Sequence, residues 1–212
     1  DMSRLCAIII IGLLCSVIIQ ETLLLDRFIG SFLLATLLLC IFYRDIQRYK
    51  PGYLKDYKML LLLGGLVAGS LFMGRLFEYI LAGLSKGLNL ADSNVFIYGI
   101  PISIGAMLVT LIFDFHSAII FSFIISILTG VWLNNPLYSI YSFMGSLTAA
   151  FSVIRCKKRS ALIKGGFYVS AVSMLTVLII LLLEGTLFTA GAPAAFMFAA
   201  ISGFMVASLV SI

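Results

Sequence analysis

Charge is scarce in this sequence. Asp, Glu, Lys and Arg make up 11% of its 212 residues, where a soluble domain carries about 25%. A chain this poor in charge, with 62% hydrophobic residues and a mean hydropathy of +1.18, cannot keep a folded surface in water. Histidine occurs once, at His116. That excludes a multi-histidine metal site, and with it any metal-dependent phosphohydrolase centre needing several His and Asp ligands. The four cysteines, Cys6, Cys15, Cys40 and Cys156, have no metal-ligand spacing and form no disulfide framework. They read as small apolar fillers, with Cys156 a free thiol in a basic loop. No Gly-x-Ser-x-Gly elbow and no aspartate pair at helical spacing occur, so no catalytic residue, cofactor or metal is expected on this chain.

What is present is a succession of long apolar runs. Inside lipid every backbone polar group must be paired, which leaves helices and closed barrels. Barrel strands would alternate over about ten residues, whereas these runs are unbroken. The expected fold is an all-α polytopic membrane protein with about eight transmembrane helices. The runs place them at 4–19, 28–43, 59–80, 95–113, 117–133, 137–154, 165–183 and 192–212. The stretch from Ile100 to Leu133 sets the pattern. Two apolar segments of spanning length, about 20 residues, are joined by the three-residue turn Asp114-Phe115-His116. Pro101 falls in the first turns of the fourth helix, where proline is tolerated. Asn134-Asn135-Pro136 reads as a turn. The third helix holds Gly65, Gly69 and Gly74 among other small residues. Gly145 and Ala149 form a similar pair in the sixth, and such spacings let helix backbones approach closely in lipid.

Orientation follows from Lys and Arg in short loops. With Arg4 inside and the helices alternating, the inside set gathers Arg4, the 44–58 loop, the Asp114 turn and the 155–164 loop. That side holds eleven of the 14 basic residues. Both termini are then cytoplasmic. The basic net charge of +5 is thus a topology signal, and nucleic acid is not an expected partner.

Few polar residues stand out. Arg75 and Glu78 are three apart on the third helix, share a face and can pair. Ionisable groups within a span are functional candidates by default, though an arginine near the interface also snorkels. The pair reads either as an interfacial ion pair or as a ligand site. Glu21, Asp92 and Glu184 lie at the same outer side and could add an acidic rim. Asp114 and His116 read as a turn in which Asp114 caps the fifth helix, or as a contact point for a cytoplasmic partner.

The run Ile-Pro-Ile-Ser-Ile-Gly-Ala-Met-Leu-Val-Thr-Leu at 100–111, which contains Pro101 and Gly105, resembles a signature of a known family. So do the aspartate turn after it, Leu-Thr-Gly at 128–130, Phe-Met-Gly-Ser-Leu-Thr-Ala at 143–149, and Lys-Arg-Ser-Ala-Leu-Ile-Lys-Gly-Gly-Phe-Tyr at 158–168. Together they are similar to the membrane core of the seven-transmembrane HD-hydrolase family, the PgpH-type cyclic-di-AMP phosphodiesterases. The resemblance runs from about Phe28 to the end. It implies one N-terminal helix (1–25), an extracytoplasmic domain, a seven-helix domain (26–212) and a cytoplasmic HD domain. On that reading both soluble domains are missing from this sequence, so no catalytic residue carries over. It also implies a bacterial cytoplasmic membrane location and a signal-relay function. Asp114, His116, Arg159 in the 155–164 loop, and the end of the last helix are the expected cytoplasmic coupling elements. The expected partners are the bilayer, an HD hydrolase domain and an unidentified extracytoplasmic ligand, with self-association left open. The alternative is a small-solute transporter subunit, such as the substrate-binding component of an energy-coupled importer, with Arg75, Glu78 and the outer loops as its pocket. A cell-wall or lipid-handling scaffold is a third reading with no positive feature.

Overall fold

Apolar sequence of this kind forms helices, and in the computed structural model the described residues, 2–20, 25–49, 57–88, 93–154, 159–189 and 191–211, are helical apart from short breaks and turns. Eight α-helices are present among them: α1 (Met2–Ile19), α2 (Leu25–Tyr49), α3 (Tyr57–Leu88), α4 (Ile104–Ile112), α5 (Phe115–Trp132), α6 (Pro136–Val153), α7 (Arg159–Glu184) and α8 (Ala192–Ser211). Six segments are long and apolar enough to cross a membrane: 25–49, 58–83, 95–112, 115–132, 163–184 and 192–210. The apolar part of α1, 6–19, is shorter. α6, richer in serine and threonine, is not among the six.

The main departure from the sequence reading is the fourth helix. It is not continuous from 95 to 113. A 3-10 helix, Ser93–Gly99, is followed by a break at Ile100 to Ser103 and then by the short α4. Pro101 is the cause, because it has no N–H to donate and disfavours helical backbone in the residue before it. The break is buried, with Ile100 and Ser103 both almost inaccessible, so its polar groups need partners within the protein. Ile102 N donates to Ile100 O (2.9 Å), Ile104 N donates to Pro101 O (3.4 Å), and the Tyr141 hydroxyl donates to Tyr98 O (2.6 Å).

Other boundaries also move. α2 runs six residues past its expected end at Tyr43, α3 eight residues past Ile80, and α7 begins six residues before Gly165. Charged residues at helix ends are no obstacle once the helix has left the apolar layer, so hydropathy marks the span and not the helix.

Consecutive helices run in opposite directions, so one end of the bundle collects the basic residues. Arg4 Nη1 donates to the Tyr43 hydroxyl (3.2 Å), joining the start of α1 to the far part of α2. Arg44, Arg48, Lys58 and Lys164 lie toward the same end. Lys50, Lys55, Arg155, Cys156, Lys157 and Lys158 lie outside the described residues, as do Glu21 and Asp92. The buried face of α6 (Tyr138, Tyr141, Ser142, Gly145, Ser146, Ala149, Ala150, Val153) repeats every three to four residues, the stripe a helix needs to bury one side. It packs against α4, α5 and α7. The largest core cluster links α1 to α5 through Ile11, Phe42, Val67, Phe121 and Ile125. A second gathers Tyr98, Tyr138 and Tyr141 with α7 and α8.

Glycine placement divides the packing candidates. At Gly74 a Cβ would lie 2.9 Å from the Trp132 ring, and at Gly105 it would run into Ser70 and lie 2.7 Å from Phe121. At Gly145 the nearest atoms are the Ser103 and Ser173 hydroxyls, 3.7 and 3.8 Å away. Gly65 and Gly69, expected to pack, have nothing within 4 Å. They face outward because α3 buries the opposite side, through Leu63, Val67 and Leu71. A close approach of helix backbones involves two other glycines, Gly166 and Gly203. A Cβ at Gly203 of α8 would collide with the Ser170 backbone of α7, and one at Gly166 with Ala207. The Ser170 hydroxyl donates to Ala200 O (2.9 Å) across the same contact.

Candidate functional site

At the end of the bundle away from the basic residues, Arg75 of α3 joins three helices. Its Nε donates to Ile18 O (3.0 Å) and its Nη2 to Ile19 O (3.2 Å). These carbonyls belong to the last turn of α1, where no intrahelical N–H is left to satisfy them. A guanidinium there serves both the carbonyls and the negative end of the helix dipole. Nη1 pairs with Glu78 Oε2 at 2.8 Å, as the i, i+3 spacing predicted, and the side chains are only 13% and 29% exposed. The guanidinium carbon also lies 5.4 Å from the centre of the Trp132 ring of α5, within range of a cation–π contact.

Trp132 is held by the way α5 ends. Asn134 adopts a left-handed backbone, φ 51°, a conformation asparagine accepts more readily than most residues. Asn134 N donates to Val131 O (3.3 Å) and Asn135 N to Gly130 O (3.1 Å), the paired bonds of a Schellman cap. Asn135 then caps α6, its side chain accepting from Leu137 N (2.9 Å), with Pro136 in the first helical turn. The sequence reading of this stretch as a turn is thereby given its geometry.

Around this cluster lies a cavity of about 640 Å³. It is walled by the ends of α1 and α5, by α2 through Arg27 and Gly30, and by Arg75 and Glu78. Its volume falls within the range of about 300–1,000 Å³ usual for small-molecule sites. A second, much smaller space of about 10 Å³ adjoins the Pro101 break, between Ser103, Ser142, Ser173 and Ser202. It is close to the room one water molecule needs.

At the basic end, Asp114 is the N-cap of α5. Its side chain accepts from Ser117 N at 2.9 Å, which places a carboxylate at the positive end of the helix. Replacing it with alanine is expected to cost about 1 kcal/mol. Thermal melts of the Asp114→Ala and Asp114→Asn proteins check this. The asparagine protein, which keeps the acceptor, should recover most of the loss, and equal losses for both would contradict a capping role.

His116 does not pair with Asp114. Its Nε2 lies 2.9 Å from Asp45 Oδ2 of α2, and its ring stacks on Tyr49 with centroids 4.0 Å apart. Both side chains of the His116–Asp45 pair are more than a third exposed, so the pair contributes little stability, on the order of 0–1 kcal/mol. Asp45 and Tyr49 were not legible as partners. They lie in a stretch that reads as loop, 71 and 67 positions from the histidine in sequence. Arg159 is the first residue of α7, and its side chain lies outside the described residues. Among the described residues no three of His, Cys, Asp and Glu come together to hold a metal.

Alternating apolar helices, a buried proline break and an arginine-centred cluster define a multi-pass helical membrane protein. The chain belongs to the family described as "7TM receptor with intracellular HD hydrolase", whose model matches residues 25–212. The matched residues contain the seven helices α2 to α8 and are the receptor region of that family, not its hydrolase. No curated protein and no solved structure matches the chain.

Proposed function

We propose that this chain is the membrane sensor core of a bacterial cytoplasmic-membrane protein, relaying an extracytoplasmic signal to a cytoplasmic HD phosphohydrolase domain that acts on cyclic-di-AMP. The observation that carries this reading is the family match over residues 25–212. In the proposed topology all eight helices cross, α1 stands apart from a seven-helix domain at 26–212, and the basic end is cytoplasmic, with both termini there.

The geometry supports a relay. α5 runs 18 residues, from Phe115 beside His116 at the basic end to Trp132 in the arginine cluster, or about 27 Å. One rigid element therefore touches both candidate sites. A change in how Arg75 holds α1 would be felt by α5 through Trp132 and delivered to Asp114, His116 and the start of α7 at Arg159. Such a relay works only if the bundle has two packings that a ligand distinguishes. Glu78 and Arg75 form the input contact, and Pro101 is the natural hinge.

The test is made in the native host. Tagging the chromosomal C-terminus should give a band well above 23.1 kDa, and deleting the gene should raise cellular cyclic-di-AMP several-fold. Unchanged cyclic-di-AMP sinks the reading. The cavity favours one other reading, a small-solute transporter subunit. Loss of uptake of a labelled solute on deletion, with cyclic-di-AMP unchanged, would establish that reading in its place.

A further inference from the structure

The space of about 10 Å³ beside the Pro101 break lies deep in the bundle. Hydroxyl groups reach it from four directions: Ser103 just before α4, Tyr141 and Ser142 of α6, Ser173 of α7 and Ser202 of α8. All five residues are buried, and the least buried of them, Ser103, is 7% exposed. Ser173 and Ser202 stand near the middle of the spanning segments 163–184 and 192–210. Among the described residues no charged side chain lines the space.

Serine and threonine inside a helix commonly turn the hydroxyl back to the carbonyl four residues earlier, as Thr110, Ser122, Thr129 and Thr176 do here. Ser142 does not. Its hydroxyl is buried and bonds nothing among the described residues. Ser103 makes no capping bond from its side chain. Leaving buried hydroxyls unmet is costly, so their partner has to sit in the space between them. Two other oxygens face that space only as acceptors, because a hydroxyl has a single proton. Tyr141 donates its proton to Tyr98 O (2.6 Å), and Ser202 donates to Ala199 O (2.8 Å). Ser173 faces the same Tyr141 hydroxyl.

We infer that this space binds one sodium ion. The lone pairs of Tyr141 and Ser202 repel an anion. Divalent ions are held largely by carboxylates, and none lines the space. Ser142 Oγ is almost closed to anything with the radius of a water molecule or a potassium ion. Sodium is smaller. It is nearly the size of calcium, which holds oxygens at about 2.3–2.6 Å, whereas a water needs about 2.7–2.8 Å. A helix broken at membrane depth is also where uncharged oxygens can replace the water shell of an ion. The bound ion ties the start of α4 to α6, α7 and α8 and holds the Pro101 break in this packing.

The full chain in detergent, dialysed into choline chloride, is titrated with radiolabelled sodium. Binding should saturate at about one ion per chain. Unlabelled sodium should displace the label, and potassium or choline at the same concentration should not. Ser142→Ala removes an oxygen that has no other bond. Gly145→Ala puts a methyl group 3.7 Å from Ser103 Oγ and 3.8 Å from Ser173 Oγ, an ordinary contact that fills the space without a clash. Each should weaken sodium binding at least tenfold, with helical circular dichroism and melting in choline like the parent. Ser173→Ala, with the same expectation, replaces either variant that does not fold. Ser122→Ala, whose hydroxyl bonds Ala118 O away from the space, should bind as the parent does. Absence of saturable binding would mean that the space holds water only and would overturn the inference. Equal displacement by potassium, or undiminished binding in the folded variants, would overturn it too. Cyclic-di-AMP levels in cells decide the sensor reading separately, so the two fail independently.

Discussion

Gly203→Ala is expected to destabilise the protein by about 2–3 kcal/mol, while the same substitution at Gly65 is expected to be neutral or stabilising by up to about 1 kcal/mol. Alanine favours a helix over glycine by about 1 kcal/mol at both positions. The difference lies in what the new methyl group meets. At Gly203 it meets the backbone N and Cα of Ser170, which cannot rotate away, so α7 and α8 must separate. Overpacking of this kind costs about 1–3 kcal/mol. Separation also strains the hydrogen bond from Ser170 to Ala200 O and loosens Gly166 against Ala207. At Gly65 the methyl group meets nothing within 4 Å. Thermal melts of the two purified proteins in one detergent provide the comparison. Equal melting temperatures would show that α7 and α8 do not pack as closely as this.

Arg75→Gln is expected to cost about 2–3 kcal/mol, more than Glu78→Gln. Removing the guanidinium leaves the carbonyls of Ile18 and Ile19 without their donors and Glu78 without its cation. Breaking a buried pair from one side costs about 3–5 kcal/mol, and partial exposure of this one brings the figure down. Glu78→Gln keeps an acceptor oxygen for Arg75 and removes only the charge, so about 1 kcal/mol is expected there. Arg75→Lys should recover only part of the loss, because an ammonium lacks the planar fork that reaches two carbonyls and a carboxylate together. Melting followed by Trp132 emission reports on the cluster itself. If Arg75→Lys matched the parent, charge alone would account for the site.

The sequence by itself determined the class, the helix order and the ends at which the polar residues fall. Each follows from a local rule. A long apolar run has to be helical in lipid, and short basic loops mark one side. Asp114 as a cap of α5 and the Arg75–Glu78 pair were also legible, because both partners lie within one turn of the same helix. The break at Pro101 was only half legible. Proline announces a disturbance, but whether it sits harmlessly in a first turn or divides two helical pieces depends on whether neighbouring groups can take up the freed backbone. Here Tyr141, from α6, does so.

Tertiary structure alone decided which small residues are contacts and which are surface. Gly65 and Gly203 look alike in sequence, and only the facing helix distinguishes them. It alone brought Asp45 and Tyr49 to His116. It also brought the end of α1 and the Trp132 ring to Arg75, and enclosed the cavity beside them. The physical reason is the same throughout. Apolar periodicity specifies that a helix has a buried face, but in a bundle where nearly every face is apolar it does not specify the neighbour. The close fit of backbone against backbone and a few hydrogen bonds between distant residues settle that choice.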